Sequence, residues 1–365
     1  IKHRSFGHPI KIIIIICSLK LLKNIITQKG LVRVKKIIAI PFLLTIFCVK
    51  LLAQPFDLEQ VEQAYRPRLK LDNRYIFKTS FSDTTGNFSD VYSNAVFTFP
   101  IKTKLNADLN FNPDNFSLKN FLNNPVKIKA SQTLGSIRFG YRQTELGFDT
   151  LLSKKNFYNI SANVMGIKLD QKFRIIFYNF GINVYEQAKP QPSFYPRINA
   201  LIGRVHVKGL VKKYYYGLGL VYSDGLWIPL PFFGGSLPIG KNYSFNFTLP
   251  AAVNFQCKLN KSNLQVGASA DGFRSGTEIQ GLRSNLNHSA GQVFFMLRHK
   301  LSNTAWVRLE AGYYFYSNIS ISNTFFNSKT YKVQPGPYVN IGLNVLFGQT
   351  LFEKVAHKIL DKASN

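Results

Sequence analysis

The side chains best suited to covalent chemistry in this chain are a histidine beside a serine, His288 and Ser289, inside RSNLNHSAGQ. A serine becomes a nucleophile when a histidine takes its proton, and a β-strand puts two such groups on one face only at i, i+2 spacing. Adjacent residues face opposite ways, and this run reads as a loop, so neither residue is assigned a catalytic role. GASADG at 267–272 imitates a nucleophile elbow, but the spacing is G-x-S-x-x-G and no helix follows; Ser269 reads instead as a wall residue facing water. His206, His299 and His357 have no Cys, Asp or Glu at metal-ligand spacing, and no Asp repeat suggests a calcium loop. Cys17 and Cys48 fall in a leader, and Cys257 alone builds neither a disulfide nor a zinc site. The expectation is a chain with no catalytic residue, no metal and no cofactor.

Charge is the next source of chemistry. The 365 residues carry 46 Lys and Arg against 18 Asp and Glu, a formal charge of +28. Ten of the basic residues, and none of the acidic ones, precede Gln54, so the remainder is still strongly basic. Nucleic acid is not the expected partner, because the cations are scattered singly along alternating segments and no helix-turn-helix, zinc-finger or RNP-like run occurs. The 32 Phe and 18 Tyr suit a membrane boundary as well as a core. A mean hydropathy of −0.04 excludes a bundle of apolar spanning helices.

The segment VRVKKIIAIPFLLTIFCVKLLAQ has the basic start, the short apolar run and the small residue, Ala53, of an export signal. Phe47 stands where a lipoprotein anchor at Cys48 would need a small residue. Residues 1–33 precede this signal and are expected to be an over-extended reading frame, with 34–53 the signal peptide and 54–72 a periplasmic segment.

After Gln54 no apolar run is long enough for a spanning helix, so any membrane insertion must use strands closed into a barrel. The test is alternation over about 10 residues. Val339, Ile341, Leu343, Val345 and Phe347 share a face opposite Asn340, Gly342 and Asn344. Leu264, Val266, Ala268 and Ala270 oppose Gln265, Gly267, Ser269 and Asp271; Val253, Phe255, Cys257 and Leu259 oppose Asn254, Gln256 and Lys258; Ile137, Phe139 and Tyr141 oppose Arg138, Gly140 and Arg142. Less regular candidates lie at 74–82, 91–104, 157–169, 173–186, 197–208, 213–223, 242–249, 291–301 and 304–317, separated by turn-rich runs such as SDTTGN, LDQK and QPGP. Because barrels favour even counts, the expectation is an all-β, transmembrane antiparallel barrel of about 12 strands, within 10 to 14, over residues 73–348. Arg138, Arg142, Lys258, Arg308 and Glu310 fall on the inward phase as lumen-lining residues, with Arg308 and Glu310 sharing a face as an ion pair. GLWIPLPFFGGSLPIG, 225–240, reads as a segment at the barrel mouth: its prolines cannot donate to a ladder, and Gly234-Gly235 permits a turn. Residues 349–365 space Leu351 or Phe352, Val355, Ile359 and Leu360 as a short amphipathic helix.

From Tyr214 to Phe273 the chain resembles a domain-of-unknown-function family of bacterial outer-membrane β-barrels. The resemblance is carried by the G-x-G strand at Gly217, a Pro-bearing turn, a Lys-x-aromatic strand start, Leu249-Pro250 and a hairpin into a strand closing at Gly272, with FDLEQVEQAYRP and FPIKTK like that family's opening. It implies an outer-membrane location in a Gram-negative-type bacterium and brings no catalytic residues. The expected partners are outer-membrane lipid and lipopolysaccharide, and the barrel-assembly machinery during insertion. The expected role is a non-enzymatic barrel with a narrow basic lumen that passes or binds small anions; the alternatives are a structural or adhesive barrel with a filled lumen, and a lipid hydrolase in the barrel wall. A closed barrel resists cold detergent, so the purified chain is predicted to migrate differently on a denaturing gel before and after boiling; identical migration excludes this architecture.

Overall fold

The computed structural model describes residues 66–108, 127–147, 154–169, 175–188, 196–208, 212–223, 226–279, 282–322 and 328–348. They form fifteen strands: β1 Arg68–Ser80, β2 Asn87–Asp108, β3 Lys127–Leu146, β4 Lys154–Leu169, β5 Ile175–Gln187, β6 Arg197–Lys208, β7 Lys212–Ser223, β8 Leu226–Ile239, β9 Tyr243–Leu249, β10 Ala252–Lys258, β11 Ser262–Ile279, β12 Leu282–Lys300, β13 Ala305–Ser322, β14 Ser328–Val333 and β15 Gly336–Leu346. Consecutive strands pair antiparallel from β1 to β13. The lower half of β13 pairs with β15 and its upper half with β14, so the last two strands are halves of one stave. β15 then pairs with β1, from Arg68↔Leu346 to Ile76↔Tyr338, and the sheet is a closed barrel of 14 staves. The lower end is where the chain enters and leaves: Phe347 N–H donates to Pro67 O at 3.1 Å. No helix occurs among the described residues. The leader (1–53), most of the segment expected to be periplasmic (54–72) and the amphipathic tail (349–365) lie outside them, but β1 begins at Arg68, so residues 68–72 are wall.

Alternation produces an inside-out distribution. Val339 and Ile341 face outward while Asn340 between them is buried, and Val266 is exposed between Gln265 and Ser269, which line an internal cavity. Phe139, Ile202 and Ile341 each expose more than half of their surface, 58%, 59% and 59%, a condition that water disfavours and hydrocarbon accepts.

The expected count of about 12 falls two short of the 14 staves, and the stave that alternation missed altogether is the strand that carries three prolines. GLWIPLPFFGGSLPIG is no mouth-crossing segment; Leu226–Ile239 is a full wall strand. Pro229 and Pro231 lie above the last β8–β9 pair, Phe233↔Leu249, and Pro238 lies below the last β7–β8 pair, Lys213↔Ser236. Each proline therefore has one flank with no strand awaiting its N–H, a setting in which a ladder tolerates proline. Alternation hid this strand because both of its faces are apolar: Trp227 and Phe233 point out, while Ile228 and Leu230 are buried inward. Gly234 makes no turn. A Cβ there would lie 2.3 Å from the ring of Tyr215, which crosses the gap and donates its hydroxyl proton to Phe247 O at 3.2 Å.

The interior is only partly wet. An apolar cluster that includes Phe88, Leu146, Phe157, Leu286 and Ile319 fills the upper end on the side of β1–β4 and β12–β14. A second, including Leu134, Ile167, Leu169, Phe177 and Tyr215, fills the lower end on the side of β3–β7. Two dry wedges, at opposite ends and on walls that overlap only at β3 and β4, leave a polar route running diagonally between them.

The upper rim is uneven. β5 continues above its last pair with β6, Asn183↔Arg197, and β11 continues above its last pair with β10, Ala252↔Ser269. Their tips meet in a parallel bridge, Gly276↔Glu186, so β1 to β5 and β11 to β14 form a narrower upper ring from which β6 to β10 are excluded. Arg283 donates to Glu186 at 3.4 Å, Thr277 to Gln187 at 2.6 Å, and Arg197 to Arg274 O at 3.1 Å. β11 leaves the lower wall at Gly272, whose φ of +155° and whose missing Cβ, which would lie 2.1 Å from His288 O, exclude a side chain. Gly272→Ala is predicted to lower barrel stability by about 2 kcal/mol, read as a lower urea midpoint for loss of the compact gel band. Gly219→Ala, where the nearest atom is 3.5 Å from the new Cβ, should leave that midpoint in place.

Candidate functional site

The diagonal route holds one continuous cavity of about 540 Å³. It extends from Arg68 and Lys70 at the lower end of β1 to Arg197, Val221, Thr248 and Ala252 at the upper ends of β6, β7, β9 and β10, beneath the bend at Gly272. β-strand alternation places its charged side chains: Arg68, Lys70, Asp72 and Arg74 follow one another on the inward face of β1, and Arg138 and Arg142 on that of β3. With Arg197, Arg274 and Arg308 the lining has eight cationic side chains, against three carboxylates, Asp72, Asp271 and Glu310.

Those three carboxylates are already engaged. Asp72 accepts from Lys70 at 2.8 Å and from Arg308 at 2.5 Å. Asp271 accepts from Arg74 and, at 2.5 Å, from the Tyr314 hydroxyl, and Glu310 accepts from the Tyr338 hydroxyl at 2.8 Å. Arg142 uses a fourth carboxylate behind the lining: it donates to Asp90 at 2.7 Å, and its guanidinium stacks 4.4 Å from the Tyr92 ring centre and 3.7 Å from that of Phe273. The middle of the route is thus neutralised, and both of its ends are left basic.

Of the residues singled out from sequence, Arg138, Arg142, Arg308 and Glu310 line this cavity and Lys258 does not. Lys258 is the last residue of β10, exposed at the lower edge, where its N–H donates to Asn242 O at 2.7 Å. Arg308 pairs with Asp72 rather than with Glu310, because β1 lies across the narrow β15 and brings a carboxylate within reach. Sequence reasoning missed Arg68, Lys70, Asp72, Arg74, Arg197 and Arg274. The signal for four of them was present, since RLKLDNRY alternates cleanly, but Arg68, Lys70 and Asp72 stood outside the assigned barrel and Arg74 stood at the first position of a candidate strand.

His288 lies in a strand, β12, and not in a loop. Its buried ring meets Phe88, Phe273 and Tyr314, and its Nε2 lies 2.9 Å from Ser317 Oγ. Ser289 is on the other face, and neither His288 nor Ser317 borders the cavity. Ser269 does border it and accepts from Gln292 at 2.9 Å. Among the described residues no group of His, Cys, Asp and Glu has metal-site geometry.

No family model matches this chain, and no curated protein matches it in sequence. Among solved structures it is similar to the β domain of the Bordetella autotransporter BrkA, at 7% identity and a TM-score of 0.33 over 77% of this chain and 100% of that one. An outer membrane channel from Pseudomonas putida F1 gives 7% identity and a TM-score of 0.35 over 78% and 98%. The transport unit of the autotransporter AIDA-I from Escherichia coli gives 9% and 0.33 over 78% and 90%. Superpositions this loose lend the chain no function.

The wall assignment is open to labelling. In a cysteine-free background embedded in lipid, Ser269→Cys is predicted to react with a water-soluble maleimide and Val266→Cys to resist it; the reverse order would place the cavity on the wrong face.

Proposed function

We propose that this chain is an outer-membrane β-barrel of a Gram-negative-type bacterium, a non-enzymatic one whose diagonal, arginine-lined passage binds and conducts small anions. The observation that carries the reading is the imbalance of eight cationic to three acidic side chains around one cavity, with every one of those acids already paired. In a confined space walled by low-dielectric material, surplus positive charge lowers the energy of an anion and raises that of a cation. Membrane residence is supported by the apolar outward face and the closed backbone ladder. Placing the termini in the periplasm follows the export signal and makes the narrow ring of β1 to β5 and β11 to β14 the outer end. The likeness of residues 214–273 to a domain-of-unknown-function barrel family fits the same location, with lipid and lipopolysaccharide as surroundings and the assembly machinery as a transient partner.

A second reading has its own observation. The two apolar wedges already fill much of the lumen, as in a barrel that conducts nothing and acts through its loops. Planar bilayers separate the two. Under a salt gradient the purified barrel should give current steps whose reversal potential has the sign of anion preference, and Arg138→Gln should reduce that preference without abolishing conductance. Silent bilayers containing correctly folded protein would favour the filled barrel, and cation preference would remove the anion reading.

A further inference from the structure

The lower end of the passage concentrates charge beyond what a general anion bias needs. β-strand register sets Arg298 directly opposite Arg308, both on the inward face, an arrangement of like charges that destabilises a sheet unless something lies between them. Arg68 is in electrostatic contact with Arg138, Arg298 and Arg308, and the carboxylate it feels is Asp72. Lys70 reaches the same carboxylate. Arg68, Lys70, Arg138 and Arg308 all feel Asp72, and Asp72 spends its oxygens chiefly on Lys70 and Arg308; Arg298 adds a further positive charge beside Arg68 and Arg308.

Each of the others keeps a donor without an acceptor, although Arg138 also bonds Tyr185. Arg298 is 92% buried, its accessible fraction being 8%, and its Nη1 has no hydrogen-bond partner among the described residues. The Nε groups of Arg68, Arg138 and Arg308 are buried and unbonded in the same way. Arg298 projects from the face of β12 that carries Phe294 and Met296, two residues of the cavity lining; it does not border the cavity itself but stands opposite Arg308, which does. Buried guanidinium donors without acceptors are costly, and convergent ones match oxygens that carry several lone pairs and more than one negative charge.

We propose that Arg68, Arg298 and Arg308, with Lys70 and Arg138 around them, form a binding site for a compact, multiply charged oxyanion of the phosphate class at the lower end of the passage. The proposal rests on reading the passage as a route for anions, but it asserts more: a saturable site that distinguishes a forked oxyanion from chloride. Asp72 has a positioning role, holding Arg308 and Lys70 at the rim while leaving the net charge positive.

The test uses the full purified barrel in detergent, with sodium phosphate as the probe and sodium chloride at matched ionic strength as the comparison. Phosphate should bind saturably by calorimetry and raise the unfolding temperature more than chloride does. Arg298→Gln should weaken phosphate binding about tenfold or more, the scale of losing charge-assisted hydrogen bonds, and Arg298→Lys, which keeps the charge but not the fork, should fall between. If Arg298→Gln does not fold, Arg68→Gln at the mouth carries the same expectation. Equal effects of phosphate and chloride overturn the proposal, as does unchanged phosphate affinity in a folded Arg298→Gln or Arg68→Gln. The pore reading fails separately: phosphate binding with silent bilayers keeps the site and removes the conduction, whereas anion-biased current without saturable phosphate binding keeps the conduction and removes the site.

Discussion

A peptide group in contact with hydrocarbon can place its N–H and C=O only on another peptide group, and a barrel proposed to sit in a membrane has to meet that demand. With no helix among the described residues, the strands must satisfy one another sideways, and a sheet has no loose edge only when it closes. β15 returns to β1 for this reason, and the stave formed by β14 and β15 divides its pairing so that β13 is covered along its length. Even the three prolines of β8 obey the constraint, standing where the adjoining ladder has already ended.

Closure also explains the seam. Once β6 to β10 stop short, the upper reaches of β5 and β11 would be bare edges. The bend at Gly272 brings them together, and the absence of a side chain at Gly276 lets the backbones approach until the Glu186 carboxylate covers the junction. Arg197 and Arg283 then occupy carbonyl and carboxylate acceptors that would otherwise remain exposed at that junction. The result is a barrel with one wide end and one narrow end, in which the route through the interior has to slant.

Inside, the same scarcity of acceptors governs charge. Cations in the middle of the route are matched individually, Arg74 with Asp271 and Arg142 with Asp90, in surroundings dense with aromatic rings. Lower cations are not, and Asp72 cannot serve them all. A buried ion pair that is complete is energetically unremarkable, whereas an incomplete set stores a demand for a partner. That contrast between the middle and the lower end of one cavity gives the basic residues meaning, more than their number does.

How much of this was legible beforehand depended on whether the two faces of a strand meet different media. β15 and β10, with an apolar outer face and polar neighbours on the inner one, announce themselves in alternating Val-Asn and Phe-Gln pairs. β8 does not, because its inner face meets an apolar wedge and its outer face is apolar too, so the period vanishes although the strand is real. Arg138, Arg142 and Arg308 could be read as inward-facing from their own neighbours. Their partners could not be read that way: Arg308 meets Asp72 across 236 residues, and Arg74 meets Asp271 across 197. The amino-acid order by itself determined the strand character, the sign of the interior charge and the greasy exterior, since each is a local property of alternating side chains. Only the tertiary structure decided the count of staves, the slant of the passage and which cations are left unmatched, because register, shear and the bend at Gly272 set which distant residues share one space.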